Sequence, residues 1–262
     1  MRALATAATG MYAQQLNLEV ISNNIANMNT VGFKRQRAEF QDLLYQNHAR
    51  MGADAGNGLV VPSGIQIGAG VKAGSVQRVT EQGNMQNTGN PLDLALNRQN
   101  GYFQVTLPSG ETAYTRAGNF DRDPSGQLVT EDGYVVQPGI TIPENALSIT
   151  VTKEGIVQVT IDGQTGSTTV GQLEVAMFAN QAGLDPIGDN LFLESGSSGA
   201  PTTGTPGSTG FPTLLQGFLE SSNVDPVREI SRMIFAQRAY EMGSKTISTA
   251  DDMMQTASNL KR

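Results

Sequence analysis

The sequence of 262 residues contains no cysteine, no tryptophan and a single histidine, His48. Without cysteine the chain cannot form a disulfide, a thiolate nucleophile or a cysteine-ligated metal centre. His48 lies among small and polar residues, and no serine–aspartate constellation accompanies it that would make it a catalytic base. These absences favour a protein that is not an enzyme, and no catalytic, cofactor-binding or metal-binding residue is predicted.

An excess of basic residues and long apolar runs are also missing. Asp and Glu number 24 against 17 Lys and Arg, a net charge of −7, and no basic stripe with interleaved aromatics suggests a nucleic-acid partner. No run of 18 apolar residues predicts a membrane span, and the N-terminus lacks the apolar stretch of a Sec signal. The short basic cluster Lys34, Arg35 and Arg37 is expected at a solvated helix start or in a salt bridge between subunits.

A seven-residue repeat predicts a long N-terminal helix that packs along a partner helix. The repeat has two rows, the second three residues after the first: Leu4, Met11, Leu18 and Ile25, then Ala7, Gln14, Ile21 and Met28. The helix is expected to end where asparagines accumulate, because asparagine side chains bond to nearby backbone and favour helix ends. These are Asn23, Asn24, Asn27 and Asn29. Gly32 should then allow a sharp turn.

A second helix is predicted at the C-terminus, with Asp225 as its N-cap and Pro226 at its first position. Two rows repeat here as well: Met233, Tyr240, Ile247 and Met254, then Ala236, Gly243, Ala250 and Ala257. Small residues beside large ones favour close helix packing. An amphipathic helix lying on a globular core would show the same stripe. Its occurrence at both ends favours a terminal coiled-coil pair.

Between the helices, short apolar segments and turn residues alternate at regular intervals, which predicts an antiparallel β barrel or sandwich. A short helix or helical turn is expected over Ala38–Gln46, strands over Gly64–Val79, and an exposed low-complexity linker over Ser195–Gly210. The predicted fold class is α+β, with the long terminal helices paired as a coiled-coil stem, a β-rich connector and a central antiparallel β domain.

The predicted divisions follow the chain from end to end. They are an N-terminal helical stem segment (1–45), a β-rich connector with an extended excursion (46–90), the central antiparallel β domain (91–194), a linker and return connector (195–224), and the C-terminal helix of the stem (225–262).

One segment of the central domain resembles a calcium-binding loop. Oxygen-bearing Asp121, Asp123 and Ser125 fall at positions one, three and five, with Gly126 at six and Asp132 at twelve. The flanks are typical of strands rather than helices, and Asp132 is shorter than the glutamate usual at position twelve. A turn around Pro124 explains the same residues, and we favour it over a calcium site.

Two motifs near the chain ends resemble the signatures of bacterial flagellar rod and hook proteins. The N-terminal motif comprises Asn23–Asn27, Thr30, Gly32, Phe33 and Lys34, and the C-terminal motif comprises Glu220, Ser222–Val224 and Gln237–Tyr240. The similarity runs through most of the chain, including Tyr114–Arg116 and Gly126–Thr130. Within this family the chain is most similar to subunits of the distal rod.

The resemblance implies a structural subunit, many copies of which form a hollow helical tube that transmits motor torque to the hook and passes exported subunits. Expected partners are further copies of the chain, other rod subunits and the hook protein, the surrounding bushing rings and the flagellar type III export apparatus. The expected location is the basal-body rod that spans the periplasm. An alternative function is a secreted β-domain binding or cap module, held in a closed oligomer by its terminal helices.

Contacts between subunits are expected to be made by the helical rows together with the two motifs. The predicted interface residues are Leu4, Met11, Leu18, Asn23, Asn24, Ile25, Asn27, Gly32, Phe33, Met233, Gln237, Arg238, Tyr240, Ile247 and Met254.

The excursion Tyr45–Pro62 is rich in glycine and ends in a β-branched run, with Leu59, Val60 and Val61 as its predicted anchors. The resemblance implies a mechanical role for it, since the curved hook subunit lacks a segment here. If the excursion reaches a neighbouring subunit, its contacts must break before one side of the tube can lengthen. It would therefore hold the rod straight.

Deletion of Gln46–Val61 is accordingly expected to preserve assembly but to make the rod curved or flexible. Electron microscopy of assembled rods measures this directly. Straight rods of unchanged stiffness would contradict the prediction and leave the segment as a surface loop without a mechanical role.

Overall fold

The computed structural model describes residues 2–49, 64–162 and 166–260. The chain packs into two compact units. The first comprises Met1–Ala26, Gln36–Gln77 and Asp225–Arg262 and is called the helical unit; the second comprises Asn27–Arg35 and Arg78–Val224 and is called the β unit. The β unit therefore takes in residues 27–35 and 195–224, which sequence analysis placed in the stem and the linker. Neither helix of the described part is long and apolar enough to cross a membrane.

The helical unit contains the two predicted terminal helices, α1 (Arg2–Ala26) and α2 (Pro226–Asn259). Asp225 is the N-cap of α2, because its carboxylate accepts hydrogen bonds from the backbone N–H groups of Val227 (3.1 Å) and Arg228 (3.2 Å). Pro226 occupies the first helical position, where the backbone needs no donor. The predicted start of the C-terminal helix is confirmed.

The two helices pack against each other in antiparallel directions through small residues of α2. Ala236 and Ala250 are buried, and a Cβ atom added to Gly243 would lie only 2.7 Å from Cγ of Met11. Such close approach requires a residue without a side chain at position 243, as the row of small residues predicted. The predicted pairing of the terminal helices is confirmed.

A ribbon of four strands completes the helical unit: β1 (Gln36–Asp42), β2 (Tyr45–Ala49), β3 (Ile65–Gly68) and β4 (Val71–Arg78). Strand β1 pairs with β4, and β2 pairs with β3 in antiparallel register. The predicted strands over Gly64–Val79 are confirmed. The helix expected over Ala38–Gln46 is wrong: the segment forms β1 and the start of β2, whose backbones pair with β4 and β3, and Leu44 between them is 88% exposed.

The β unit is built from short strands, most of them three to six residues long. In chain order they are β5 (Met85–Asn87), β6 (Leu94–Leu96), β7 (Gly101–Thr106), β8 (Thr112–Thr115), β9 (Phe120–Arg122), β10 (Leu128–Thr130), β11 (Val135–Val136), β12 (Ala146–Val151), β13 (Ile156–Ile161), β14 (Ser167–Gln172), β15 (Val175–Met177), β16 (Asp185–Gly188), β17 (Leu191–Leu193), β18 (Thr202–Gly204), β19 (Leu214–Gln216) and β20 (Phe218–Glu220). A 3-10 helix, Gln181–Gly183, precedes β16.

These strands form one large antiparallel sheet and several small ones. The nine-stranded sheet has the order β16–β17–β8–β7–β11–β10–β9, and β15 joins β7 to β18. Strands β12–β13–β14 form a second sheet, while β19 pairs with β6 and β20 with β5. The last two pairs bring the end of the β unit back to its beginning.

The core of the β unit lies between the nine-stranded and the three-stranded sheets. Phe103 and Val105 of β7 share one apolar cluster with Val157 and Val159 of β13, and the Phe103 ring meets Phe120 edge-on with centroids 5.0 Å apart. Tyr102 points to the other face of β7, where it joins a smaller aromatic cluster. The two sheets share this core, and the predicted antiparallel β central domain is confirmed.

The exposed linker expected over Ser195–Gly210 is wrong in part. Thr202–Gly204 forms β18, which pairs with β15 in the large sheet, and Ser198 is buried. Low complexity suggested a loop, but backbone pairing does not require large side chains. Short polar residues can therefore form this edge strand of the sheet.

Phe103→Ala is expected to lower the free energy of unfolding of the β unit by about 3–5 kcal/mol, since Phe103 is fully buried and its removal leaves a cavity. Leu147→Ala is the matched control, because Leu147 is 69% exposed and its truncation should change stability by less than about 0.5 kcal/mol. Urea unfolding followed by tyrosine fluorescence measures both. Equal effects would show that the core is misplaced.

Candidate subunit-assembly site

The N-terminal motif ends in a tight turn at Gly32. Its φ is +70°, a conformation that side chains other than glycine rarely adopt, and a Cβ atom would lie 2.8 Å from the carbonyl carbon of Arg116. The Gly32 N–H donates to the backbone carbonyl of Glu220 at 2.8 Å. The predicted turn is confirmed, and it places the two motifs side by side within one chain.

A buried carboxylate, that of Glu220, holds this arrangement together. Its Oε1 lies 2.5 Å from Nζ of Lys34 and accepts a hydrogen bond from the Gly83 N–H at 2.9 Å, while its Oε2 lies 2.6 Å from Nε of Arg116. All three charged side chains are at least 96% buried. One carboxylate therefore joins segments separated by 186 and 104 residues of chain.

Both cations have further acceptors, so their charges are well solvated by the protein. Lys34 Nζ donates to the backbone carbonyl of Glu81 at 2.8 Å. The Arg116 guanidinium donates to the carbonyls of Gly101 (2.5 Å), Leu96 (3.2 Å) and Arg98. A buried ion pair stabilises a fold only when its remaining hydrogen-bonding groups are satisfied, and this one meets that condition.

Burial and charge act in opposite directions on Glu220. Desolvation tends to raise the pKa of its carboxyl group, but the charges of Arg116 and Lys34, with hydrogen bonds from Lys34 and Gly83, outweigh it and hold the pKa below the ordinary 4.5. Desolvation lowers the pKa of Lys34 in spite of the attraction of Glu220. We take the ionised pair as the neutral-pH state, because two cations and a backbone N–H face one carboxylate.

The next residues of the C-terminal motif secure the same turn. Oδ1 of Asn223 accepts from the Arg35 N–H at 2.7 Å, and its Nδ2 donates to the carbonyls of Val79 (3.0 Å) and Glu81 (2.9 Å).

Lys34 was expected to be solvated or to pair with another subunit. That expectation is wrong, because its partner Glu220 lies in the same chain, far away in sequence but adjacent in the fold.

Asn24 plays the corresponding role in the helical unit. Its amide accepts from the Gln36 N–H and donates to the Gln36 carbonyl, both at 2.8 Å, and its Nδ2 also donates to Oε2 of Glu229 at 3.2 Å. Asn24 and Glu229 are each only 1% exposed. Oε1 of Glu229 accepts from Arg232 at 2.7 Å. One amide thus ties α1 to both the ribbon and α2.

The predicted interface residues fall at three depths in the single chain. Asn24 and Gly32 are buried; Leu4, Met11, Leu18, Ile25, Asn27, Phe33, Met233 and Ile247 are half-buried; Asn23, Gln237, Arg238, Tyr240 and Met254 are exposed. Among the apolar residues of α1, the most buried are Ala13, Val20 and Ile21 rather than those of the Leu4 row. This displacement has a physical reason, since α1 contacts the ribbon as well as α2. The assignment of these residues to contacts between copies stays a prediction.

Helix α2 exposes several large apolar side chains, of which Phe235 and Met242 also line a groove beside Val20 and Ile21 of α1. Val227 and Phe235 are about three-quarters exposed, and Ile230, Ile234 and Met242 are at least half exposed. Large apolar side chains clustered in solvent are typical of a protein interface. We call these five residues the exposed α2 face.

Two further predictions concern other segments. Asp123 accepts from the Gln127 N–H (2.6 Å) and Ser125 Oγ (2.7 Å) within the turn between β9 and β10, so its carboxylate serves the hairpin as the turn interpretation predicted. Asp121 pairs with Val129 across the same hairpin.

The predicted anchors of the excursion, Leu59, Val60 and Val61, lie outside the described residues, and their stiffening role stays a prediction.

Arg116 and Glu229 are key polar residues that were not among those predicted from the sequence. Glu229 carried a signal, because it stands seven residues before Ala236 and so begins the small-residue row with a charge. Arg116 belongs to a stretch that resembled the rod family, but its partner cannot be read from local sequence.

Comparison with known proteins matches three family models to this chain. They are described as a flagella basal body rod protein (residues 4–34), the flagellar hook protein FlgE/F/G D1 domain (98–159) and the flagellar basal body rod FlgEFG protein C-terminal region (215–260). Proteins named flagellar basal-body rod protein FlgG are similar over the whole length of both chains. Identity is 63% for Caulobacter vibrioides, 52% for Agrobacterium fabrum and 43% for Bacillus subtilis.

Glu220→Gln is expected to lower stability at neutral pH by about 3–5 kcal/mol, because Lys34 and Arg116 would remain buried without their anion. The folded-state pKa of Glu220 is below its ordinary value, so its stabilising effect is present above pH 4.5 and is lost as pH falls through the lower folded-state pKa. Thermal melts of both proteins between pH 7 and pH 2 should therefore converge in acid. A constant difference across that range would contradict the assignment.

Proposed function

The chain belongs to the family of flagellar basal-body rod and hook proteins, and from this premise we propose that its copies stack into a hollow helical tube that transmits motor torque to the hook and passes exported subunits. The chain is a structural subunit of the distal part of the basal-body rod. It self-assembles and associates with other axial components of the flagellum.

The observation that carries the proposed contact is the exposed α2 face. Full burial of a large apolar side chain stabilises a protein by roughly 1.5–3 kcal/mol, and an exposed side chain does not contribute this free energy. Phe235 is 76% exposed and Met242 is 64% exposed in the single chain, so a second copy gains by covering them. Repeated association through this face would link the helical unit of one copy to that of the next.

The mechanism is mechanical, and we assign no residue a chemical step. Torque passes from copy to copy as shear across the helical contacts, while buried polar networks such as that of Glu220 keep each subunit from deforming. The bushing rings and the type III export apparatus are further proposed partners. A closed oligomer acting as a binding or cap module is not favoured, because the full-length relatives are named as rod proteins.

Phe235→Asp is expected to abolish tube formation while leaving the fold unchanged, since an aspartate at a buried contact between copies would be desolvated without a partner. Leu147→Asp is the matched control, a comparable loss of an exposed apolar side chain on the β unit. Electron microscopy of concentrated protein reports the outcome: open tubes for the parent and the control, none for Phe235→Asp. Closed rings of fixed size from the parent would instead support the alternative function.

Ile247→Asp tests the predicted row on the other side of α2. Ile247 is half-buried beside α1, so an aspartate there is expected to separate the helices and block assembly, while near-ultraviolet circular dichroism of the β unit stays unchanged. Normal tubes from this variant would show that the row does not support the helix pair.

A further inference from the structure

Helix α2 buries small side chains against α1 and leaves the large Phe235 and Met242 mostly in solvent. The buried residues of α2 are Glu229, Ala236 and Ala250. Phe235, which follows Ala236 directly, is 76% exposed, and Met242, which precedes Gly243, is 64% exposed. Area burial alone would favour the opposite choice, because Phe and Met side chains remove far more apolar surface from water than Ala or Gly.

A rotation of α2 about its axis by one residue, about 100°, would bring Phe235 and Met242 toward α1. They are seven residues apart, so they form a second, two-member row that lies one position before Ala236 and Gly243 of the small-residue row. Helical periodicity therefore permits either row to face the partner helix. Some interaction other than apolar burial must select the small one.

The buried polar pair at the base of the helices distinguishes the two rows. Glu229 occupies the first position of the small-residue row, seven residues before Ala236, and its Oε2 accepts from Nδ2 of Asn24 at 3.2 Å. Asn24 cannot reorient freely, since its amide is held by both the N–H and the carbonyl of Gln36. Its second amide hydrogen is thus aimed at the Glu229 carboxylate, whereas the position seven residues before Phe235 is Arg228, whose side chain has no acceptor.

We propose that the Asn24–Glu229 pair selects which face of α2 packs on α1, and so holds Phe235 and Met242 outward for the next copy. Rotating α2 would withdraw Glu229 from Asn24 and leave a buried amide hydrogen without an acceptor. Single buried polar residues specify pairing in helical coiled coils in the same way, at a cost in stability. Asn24 and Glu229 are positioning residues, since they act through the orientation of α2.

The consequence for assembly rests on the proposed function, whereas face selection is a property of one chain. The two can therefore be tested apart. Because the natural sequence has no cysteine, a single cysteine reports the exposure of its own position without interference. Phe235→Cys marks the outward row and Ala236→Cys marks the inward row.

The experiment combines each cysteine with Glu229→Met, which keeps the length of the side chain but removes the acceptor, or with Glu229→Gln, which keeps an acceptor oxygen. Thiol reactivity toward a water-soluble disulfide reagent is measured on unassembled protein. In the parent, position 235 should react much faster than position 236. With Glu229→Met that ratio should fall by about tenfold, the size expected when a hydrogen bond to a charged group no longer biases the choice. Glu229→Gln should retain the parent ratio.

Far-ultraviolet circular dichroism checks that helix content is unchanged, since a lost helix would expose both positions. If Glu229→Met disrupts the helix, Asn24→Ala provides the same test from the other side of the pair. An unchanged reactivity ratio with intact helices would overturn the proposal. Loss of tubes in that variant without a change in ratio would also overturn it, while leaving the proposed function in place.

Discussion

The fold depends on burying a charge that only distant parts of the chain can neutralise. Glu220 is surrounded by Lys34, Arg116 and the Gly83 N–H, and a carboxylate removed from water is tolerable only with partners of this kind. Glu220 lies near the end of the β unit, and its partners come from the start and the middle of that unit. The strand pairs β5–β20 and β6–β19 close around the same place, so backbone pairing and charge neutralisation reinforce each other.

A second polar pair governs the helical unit under a different constraint. Asn24 and Glu229 lie where two helices and a ribbon meet, and the hydrogen bonds of the Asn24 amide leave it no freedom to turn. The apolar contacts above this point involve alanine and glycine, which contribute little burial but allow the helix backbones to approach closely. The helix pair thus combines one specific polar contact, between Asn24 and Glu229, with apolar contacts that allow close packing but do not by themselves fix the orientation of α2.

The same distribution of residues is consistent with the proposed assembly through α2. Helix α2 keeps Val227, Phe235 and Met242 mostly in solvent. The apolar surface that the single chain leaves uncovered is the surface that association can bury. Stability of the β unit, by contrast, rests on a closed core between two sheets, which suits a part that must transmit force without changing shape.

Sequence by itself determined the features that depend on neighbours in the chain. Heptad spacing located both helices, Asp225 and Pro226 marked the start of α2, and Gly32 and Gly126 marked turns, because periodicity, capping and backbone conformation are local properties. Only the tertiary structure decided that Lys34 is buried, that Ala38–Gln46 lies in strands and that Thr202–Gly204 joins the large sheet. Each of those outcomes depends on a partner that is far away in sequence, and a local pattern is the same whether that partner is present or not.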